Sequence, residues 1–156
     1  MGAFFLGEKR MEELQNLTRK AFATTYSFLL MSQCYHWNVE GPDFLQYHDL
    51  FGRIYTEVDQ KIDIFAEQIR AIRAWTPATF KELDELSSIE ESVLQHPKDE
   101  MVRQLYLSNG KVNTDLIAVY NQAELVQEHG LANFISERMD QHRKHGWMLY
   151  SSMKVA

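Results

Sequence analysis

His36 and His48, with Asp63 and Glu67 further along, are the side chains of this sequence whose types and spacing could do chemistry together. Two imidazoles and two carboxylates make a donor set for a transition metal: neutral imidazole suits zinc, copper and iron, and carboxylate suits harder ions. Between the histidines stands Gly41-Pro42-Asp43. The residue before a proline is pushed out of the helical region, and aspartate is a good helix N-cap. With Gln46 three residues on, Asp43 predicts a capping box. One helix therefore ends near Asn38 with His36 in its last turn, and another starts at Asp43 with His48 close to its beginning.

From Asp43 no breaker other than Gly52 interrupts the chain before Thr76-Pro77, and Phe51, Ile54, Tyr55, Val58, Ile62, Phe65, Ile69 and Ile72 recur at three- and four-residue steps. That pattern predicts one long amphipathic helix. At about 100° per residue, His48, Gly52, Asp59, Asp63 and Glu67 fall along one flank of its apolar stripe, while Arg53, Glu57, Lys61 and Gln68 fall on the solvent face. An acidic flank is ordinarily a solvated rim; the histidines are what give this one a second meaning. At a rise of about 1.5 Å per residue, His48 and Asp63 stand roughly 22 Å apart on one helix, too far to share an ion. Two copies of the helix packed antiparallel about a two-fold axis near Thr56 would bring His48 of one copy to Asp63 and Glu67 of the other, twice over.

The elements that must position these residues are helical throughout. A first long helix from about Glu8 carries Leu14, Leu17, Ala21, Phe28, Met31 and Tyr35 as a stripe. After Trp75-Thr76-Pro77, the stretch from Pro77 to Pro97 predicts one short helix around Phe80 and Leu83, inside a connection long enough to cross between parallel helices of a bundle. Pro97-Lys98-Asp99-Glu100 starts a third long helix that runs to about His129, with Gly130 as its C-terminal cap. A fourth long helix covers LANFISERMDQHRKHGWMLYSSM. His142 and His145 on it are expected at the surface or an interface, because no carboxylate sits at matching helical spacing; His96 and His129 read as helix-end residues. No histidine has a Glu or Asp three residues before it, so the Glu-x-x-His pattern of a di-iron centre within one bundle is missing.

Composition bounds the rest. A chain of 156 residues with 45% hydrophobic and 24% charged residues suits one globular domain, taken as 1–156. No apolar run is long enough to span a membrane, the first residues do not have the form of a signal peptide, and the single Cys34 reads as a core thiol, which together predict a cytoplasmic protein. The net charge of −6 works against nucleic acid, and the ends of the sequence offer only Lys9, Arg10, Arg19, Lys20 and Lys154, not a lysine-rich arm.

The run HWNVEGPDF, then His48 four residues on, then Asp63 and Glu67 as DxxxE, resembles the Dps miniferritin family (DNA-binding protein from starved cells). The resemblance continues through IRAIRAWTPATFKELDELSSIEE and HRKHGWML and so covers most of the chain. It implies an all-α fold, a ferritin-like four-helix bundle with a short extra helix in the crossover between helices two and three. It also implies a dodecameric shell with ferroxidase centres at the two-fold interfaces. Carried over by position, His36 and His48 of one subunit and Asp63 and Glu67 of its partner would bind iron, with Trp37 beside the centre. The implied activity is oxidation of Fe(II) by hydrogen peroxide or oxygen, with ferric mineral stored in the shell and peroxide stress relieved. One position departs from the family: it usually has an aspartate four residues after the second histidine, serving the weaker second iron, and Gly52 stands there.

Two other readings stay open at this level. The chain could be a DNA-compacting or structural cage in which oxidation is weak or lost; Gly52 speaks for it, and the acidic charge speaks against its DNA-binding form. Zinc could compete with iron at the same residues, since two histidines and carboxylates suit it well.

Overall fold

The computed structural model describes residues 2–90 and 96–154, with side chains from residue 6 onward. Among the described residues the backbone forms five helices: α1 (Gly2–Asn38), α2 (Phe44–Ala71), α3 (Phe80–Leu86), α4 (Lys98–Leu125) and α5 (His129–Met153). No strand is present among the described residues. Leu14, Ala21, Phe28 and Tyr35, one heptad apart on α1, are fully buried, as are Phe51, Ile54, Val58 and Ile69 on α2. These stripes meet those of α4 and α5 in one core, where Phe65 is edge-on to both Phe22 and Phe134 at 5.6 and 5.4 Å between centroids. An apolar stripe on each of four helices is satisfied by a four-helix bundle.

The direction of the helices follows from who meets whom. Gln122 near the end of α4 donates to the Arg10 carbonyl near the start of α1, whereas Lys98 at the start of α4 reaches Pro42 beside the start of α2. Thus α4 is antiparallel to α1 and parallel to α2, and the connection from residue 72 to 97 is a true crossover. Asp115 of α4 pins it, accepting from Thr24 of α1 and from Ser88 beyond α3, both at 2.7 Å. The short helix is as expected but ends at Leu86; the rest of the predicted connection includes residues 91–95, outside the described part of the chain.

Several expected boundaries move. The first helix starts at Gly2 and not near Glu8. Asp43 does precede α2, but its backbone is left-handed at φ 64° and its side chain makes no cap bond, so the capping box is not formed. Gly41, at φ +98°, takes the other left-handed position of this tight link, one that side chains rarely adopt. Helix α2 stops at Ala71, before the proline, because Arg73 turns left-handed and the Ala74 amide donates back to the Ile69 carbonyl. The same device at Gln127 ends α4 at Leu125, with the Glu128 amide bonded to the Ala123 carbonyl. Gly130 is therefore not a C-terminal cap; His129 and Gly130 lie in the first turn of α5. A left-handed Gln or Arg does here what the sequence pattern assigns to glycine.

Candidate metal centre

His36 in the last turn of α1 and His48 in the second turn of α2 are brought face to face by the short link between the helices. Their rings stack with centroids 3.7 Å apart and planes 22° from parallel. Each ring is clamped by the other residue's backbone: His36 Nδ1–H donates to the His48 carbonyl at 2.6 Å, and His48 Nδ1–H donates to the His36 carbonyl at 2.7 Å. A carbonyl only accepts, so Nδ1 must carry the proton and, in the neutral ring, Nε2 holds the free lone pair. A ring nitrogen bonded to a backbone carbonyl is the usual support of a metal-ligating histidine, fixing both tautomer and orientation. Tyr55 stands edge-on to His36 at 5.1 Å, and Phe44 lies against His48 at 5.0 Å.

Gly52 sits under this pair. A Cβ placed on it would lie 3.0 Å from His36 Cε1 and 3.1 Å from His36 Nδ1, so the clamped imidazole uses the room that a side chain would take. The glycine is thus a matter of ring packing as well as of a carboxylate not supplied. Asp49, on the neighbouring turn, is bound to Arg53 at 2.8 Å.

Asp63 and Glu67 lie on α2 well beyond His48, both exposed. Neither makes a hydrogen bond or ion pair among the described residues, where no three histidine, cysteine or acidic side chains of one chain converge. One chain therefore brings His36 and His48 together and leaves Asp63 and Glu67 apart. Trp37, Phe44, Leu45 and Ile64 are large apolar side chains left exposed around these donors, Trp37 at 63%. Trp37 does not pack beneath the link.

A second polar cluster, inside the bundle, goes against the sequence reading. Glu57, assigned to the solvent face, turns inward, and both its oxygens accept from Arg138 of α5, Oε1 from Nη1 at 2.5 Å and Oε2 from Nη2 at 2.9 Å. His145 Nε2 approaches the same carboxylate at 3.4 Å. His142 and His145, expected at the surface or an interface, are buried, at 0% and 2% exposure. Asn109 of α4 holds His142 at two points: its Nδ2 donates to the His142 carbonyl and its Oδ1 accepts from Nδ1–H, each at 2.8 Å. Burial raises the Glu57 carboxyl, but the Arg138 bonds outweigh it and hold the group below its ordinary range. Burial, only partly offset by Glu57, pushes His145 down to about 4, and burial holds His142 well below its ordinary value. A signal for these residues was present: Leu131, Ile135, Arg138, His142, His145 and Leu149 alternate steps of four and three, which is the core stripe of α5.

The ferritin-like domain family model matches residues 11–154. DNA protection during starvation protein 2 of Bacillus anthracis is 31% identical over 115 residues, covering 74% of this chain and 79% of that protein. The crystal structure of a Dps protein from Bacillus brevis superposes with a TM-score of 0.88 at 25% identity, covering 94% of this chain and 98% of that one. The Dps protein of Vibrio cholerae O1, described as a member of a broad superfamily of ferritin-like diiron-carboxylate proteins, shares the fold with a TM-score of 0.88 at 23% identity, over 94% of this chain and 92% of that one. With a four-helix bundle, a short crossover helix and a family match over nearly its whole length, the chain belongs to the ferritin-like proteins. Within them it is a member of the Dps family.

Proposed function

We propose that this protein stores iron and detoxifies it as a ferroxidase. Fe(II), the substrate, is oxidised at centres shared by two copies of the chain, and ferric mineral is kept in a shell of about twelve subunits, the assembly implied by the family resemblance. The observation that carries the reading is the reciprocal clamp of His36 and His48, which fixes both tautomers and leaves an Nε2 lone pair free on each of two stacked rings. Two imidazoles alone hold iron weakly; Asp63 and Glu67 of a second copy supply the carboxylates that favour the ferric product. The exposed Trp37, Phe44, Leu45 and Ile64 beside these donors support burial of this face by that copy. Two Fe(II) ions give up one electron each, and one hydrogen peroxide takes both, with two protons, to become two waters. Zinc suits the same donors and would compete with iron for the centre.

A cage with weak oxidation is favoured by one observation, the His36 ring filling the space over Gly52. The net charge of −6 per chain works against duplex DNA as a partner.

The test is complementation. His48→Ala and Glu67→Ala subunits, each inactive alone, are unfolded together and reassembled, and Fe(II) oxidation is followed by stopped-flow absorbance with peroxide. A mixed two-fold pair has one centre with both lesions and one with none, so a substantial part of the wild-type rate returns. No recovery in verified mixed shells would mean that the donors do not act across copies. A wild-type shell that binds iron without oxidising it would favour the cage.

A further inference from the structure

Among the described residues one ring contact joins two tyrosines, Tyr106 of α4 and Tyr150 of α5, with centroids 5.9 Å apart and planes 41° from parallel. Elsewhere on the chain tyrosine is packed: Tyr35 is fully buried, and Tyr26, Tyr47, Tyr55 and Tyr120 are half-buried. Tyr106 and Tyr150 are exposed, at 36% and 50%. Both border a groove of about 430 Å³ between the two helices, lined also by Gly110 and Gly146, so small solutes reach the two rings together. Lys154 Nζ stands over the Tyr150 ring at 5.3 Å and helps to hold it there. The pair lies far from the connection between its helices. Tyr106 is in the third turn of α4, nineteen residues before Leu125 and so roughly 28 Å from that end, and Tyr150 is in the last turn of α5.

We propose that Tyr106 and Tyr150 form an oxidative modification site, at which hydroxyl radical joins the two rings as a dityrosine within one chain. Each hydroxyl radical takes one hydrogen atom, an electron with its proton, from one phenol and becomes water. The unpaired spin left on each ring is shared between the oxygen and the carbons next to the phenol carbon. Two such radicals couple carbon to carbon, and the hydrogen on each coupled carbon moves to the phenol oxygen, which restores both rings. In total two hydroxyl radicals become two waters, one C–C bond forms, and the chain is lighter by two hydrogens. The rings must close from 5.9 Å to bonding contact, which exposed side chains do by rotamer changes in picoseconds to nanoseconds. The product consumes two oxidising equivalents and ties the open end of the α4–α5 hairpin with a covalent bond. Hydroxyl radical arises wherever Fe(II) passes a single electron to hydrogen peroxide, whether or not His36 and His48 bind the iron.

The test generates the radical outside the protein. The full chain is treated with hydrogen peroxide and Fe(II) held in EDTA, run on a denaturing gel and digested with trypsin; methionine sulfoxide in the digest shows that the oxidant reached the protein. The band of single-chain mass shows the blue fluorescence of dityrosine. The tryptic peptides 104–111 and 145–154 appear as one linked species, two hydrogens lighter than their sum before any oxygen added elsewhere. Tyr106→Phe and Tyr150→Phe, which keep the ring and its packing, each lose both the fluorescence and the linked species, whereas Tyr120→Phe keeps them. Oxidised wild-type protein without the linked species overturns the proposal. So does a linkage that joins two chains, or single-chain fluorescence that survives either substitution.

Discussion

Two histidine pairs on this chain are built from nearly the same parts and have opposite outcomes. His36 and His48 hold each other through backbone carbonyls; His142 is held by Asn109, and His145 faces Glu57. Both pairs have ring orientation imposed from outside the ring. They differ in water and in charge. The first pair is half-buried on a face that leaves Trp37 and Phe44 exposed, with no cation bonded to it among the described residues. The second is sealed in the core beside a guanidinium that already satisfies the carboxylate. A preset imidazole open to solvent can exchange water for an ion at small desolvation cost, whereas one sealed beside a fixed cation cannot. Residue type and spacing alone do not separate a metal centre from a structural network; the charge already present does.

The contrast can be broken most strongly at the carboxylates. Glu57→Ala leaves Arg138 as an uncompensated buried charge and costs about 3–5 kcal/mol. Glu67→Ala, on an exposed side chain, changes stability by no more than about 0.5 kcal/mol while removing Fe(II) oxidation. Denaturant unfolding followed by circular dichroism, beside stopped-flow assays, checks both; equal stability losses would erase the distinction between the two regions.

Next in size is the response to acid. Burial holds the folded-state pKa of His145 down to about 4, whereas the unfolded chain titrates near its ordinary value of about 6.5. As pH falls through this window the unfolded state gains a proton that the folded state refuses. The stabilisation is therefore complete above about pH 6.5 and is lost on the way to pH 4, by roughly 3 kcal/mol for His145. His142, also held low by burial, acts in the same direction. Facing these rings are Glu57, Arg138 and Lys144, of which only Glu57 favours the charged form. In His145→Gln this part of the pH dependence disappears, and unfolding free energies at pH 7, 5.5 and 4.5 report it. An unchanged slope would show that His145 is not what refuses the proton.

The smallest effect is at Gly52. Gly52→Ala puts a methyl 3.0 to 3.1 Å from the His36 ring and displaces the clamp. Stability falls by about 1 kcal/mol or less, because one ring at a half-buried edge can shift. Metal affinity at the pair falls by about tenfold, as expected when the support of a ligating imidazole is disturbed. A Zn(II) titration that gave identical affinity for both proteins would mean that the stacking geometry is not what prepares the ligands.

The four-helix pattern, the short helix in the crossover, the link at Gly41-Pro42-Asp43 and the meeting of His36 with His48 were all legible in the sequence, because each depends on local rules of periodicity, breakers and short loops. The separation of Asp63 and Glu67 from His48 was legible too, since helical rise alone sets it. Helix ends were less so: left-handed Arg73 and Gln127 carry no glycine signal, and the ends are closed by backbone bonds from the residues that follow, Ala74 to Ile69 and Glu128 to Ala123. The inner cluster was settled by tertiary structure. Arg138, His142 and His145 lie on the core stripe of α5, yet whether a charged side chain on such a stripe is buried depends on a partner from another helix. That partner, Glu57, is eighty-one residues from Arg138 in sequence and looks, on α2 alone, like a solvent-facing glutamate. Pairing between distant charges is a property of how helices are assembled, and no window of sequence contains both halves of it.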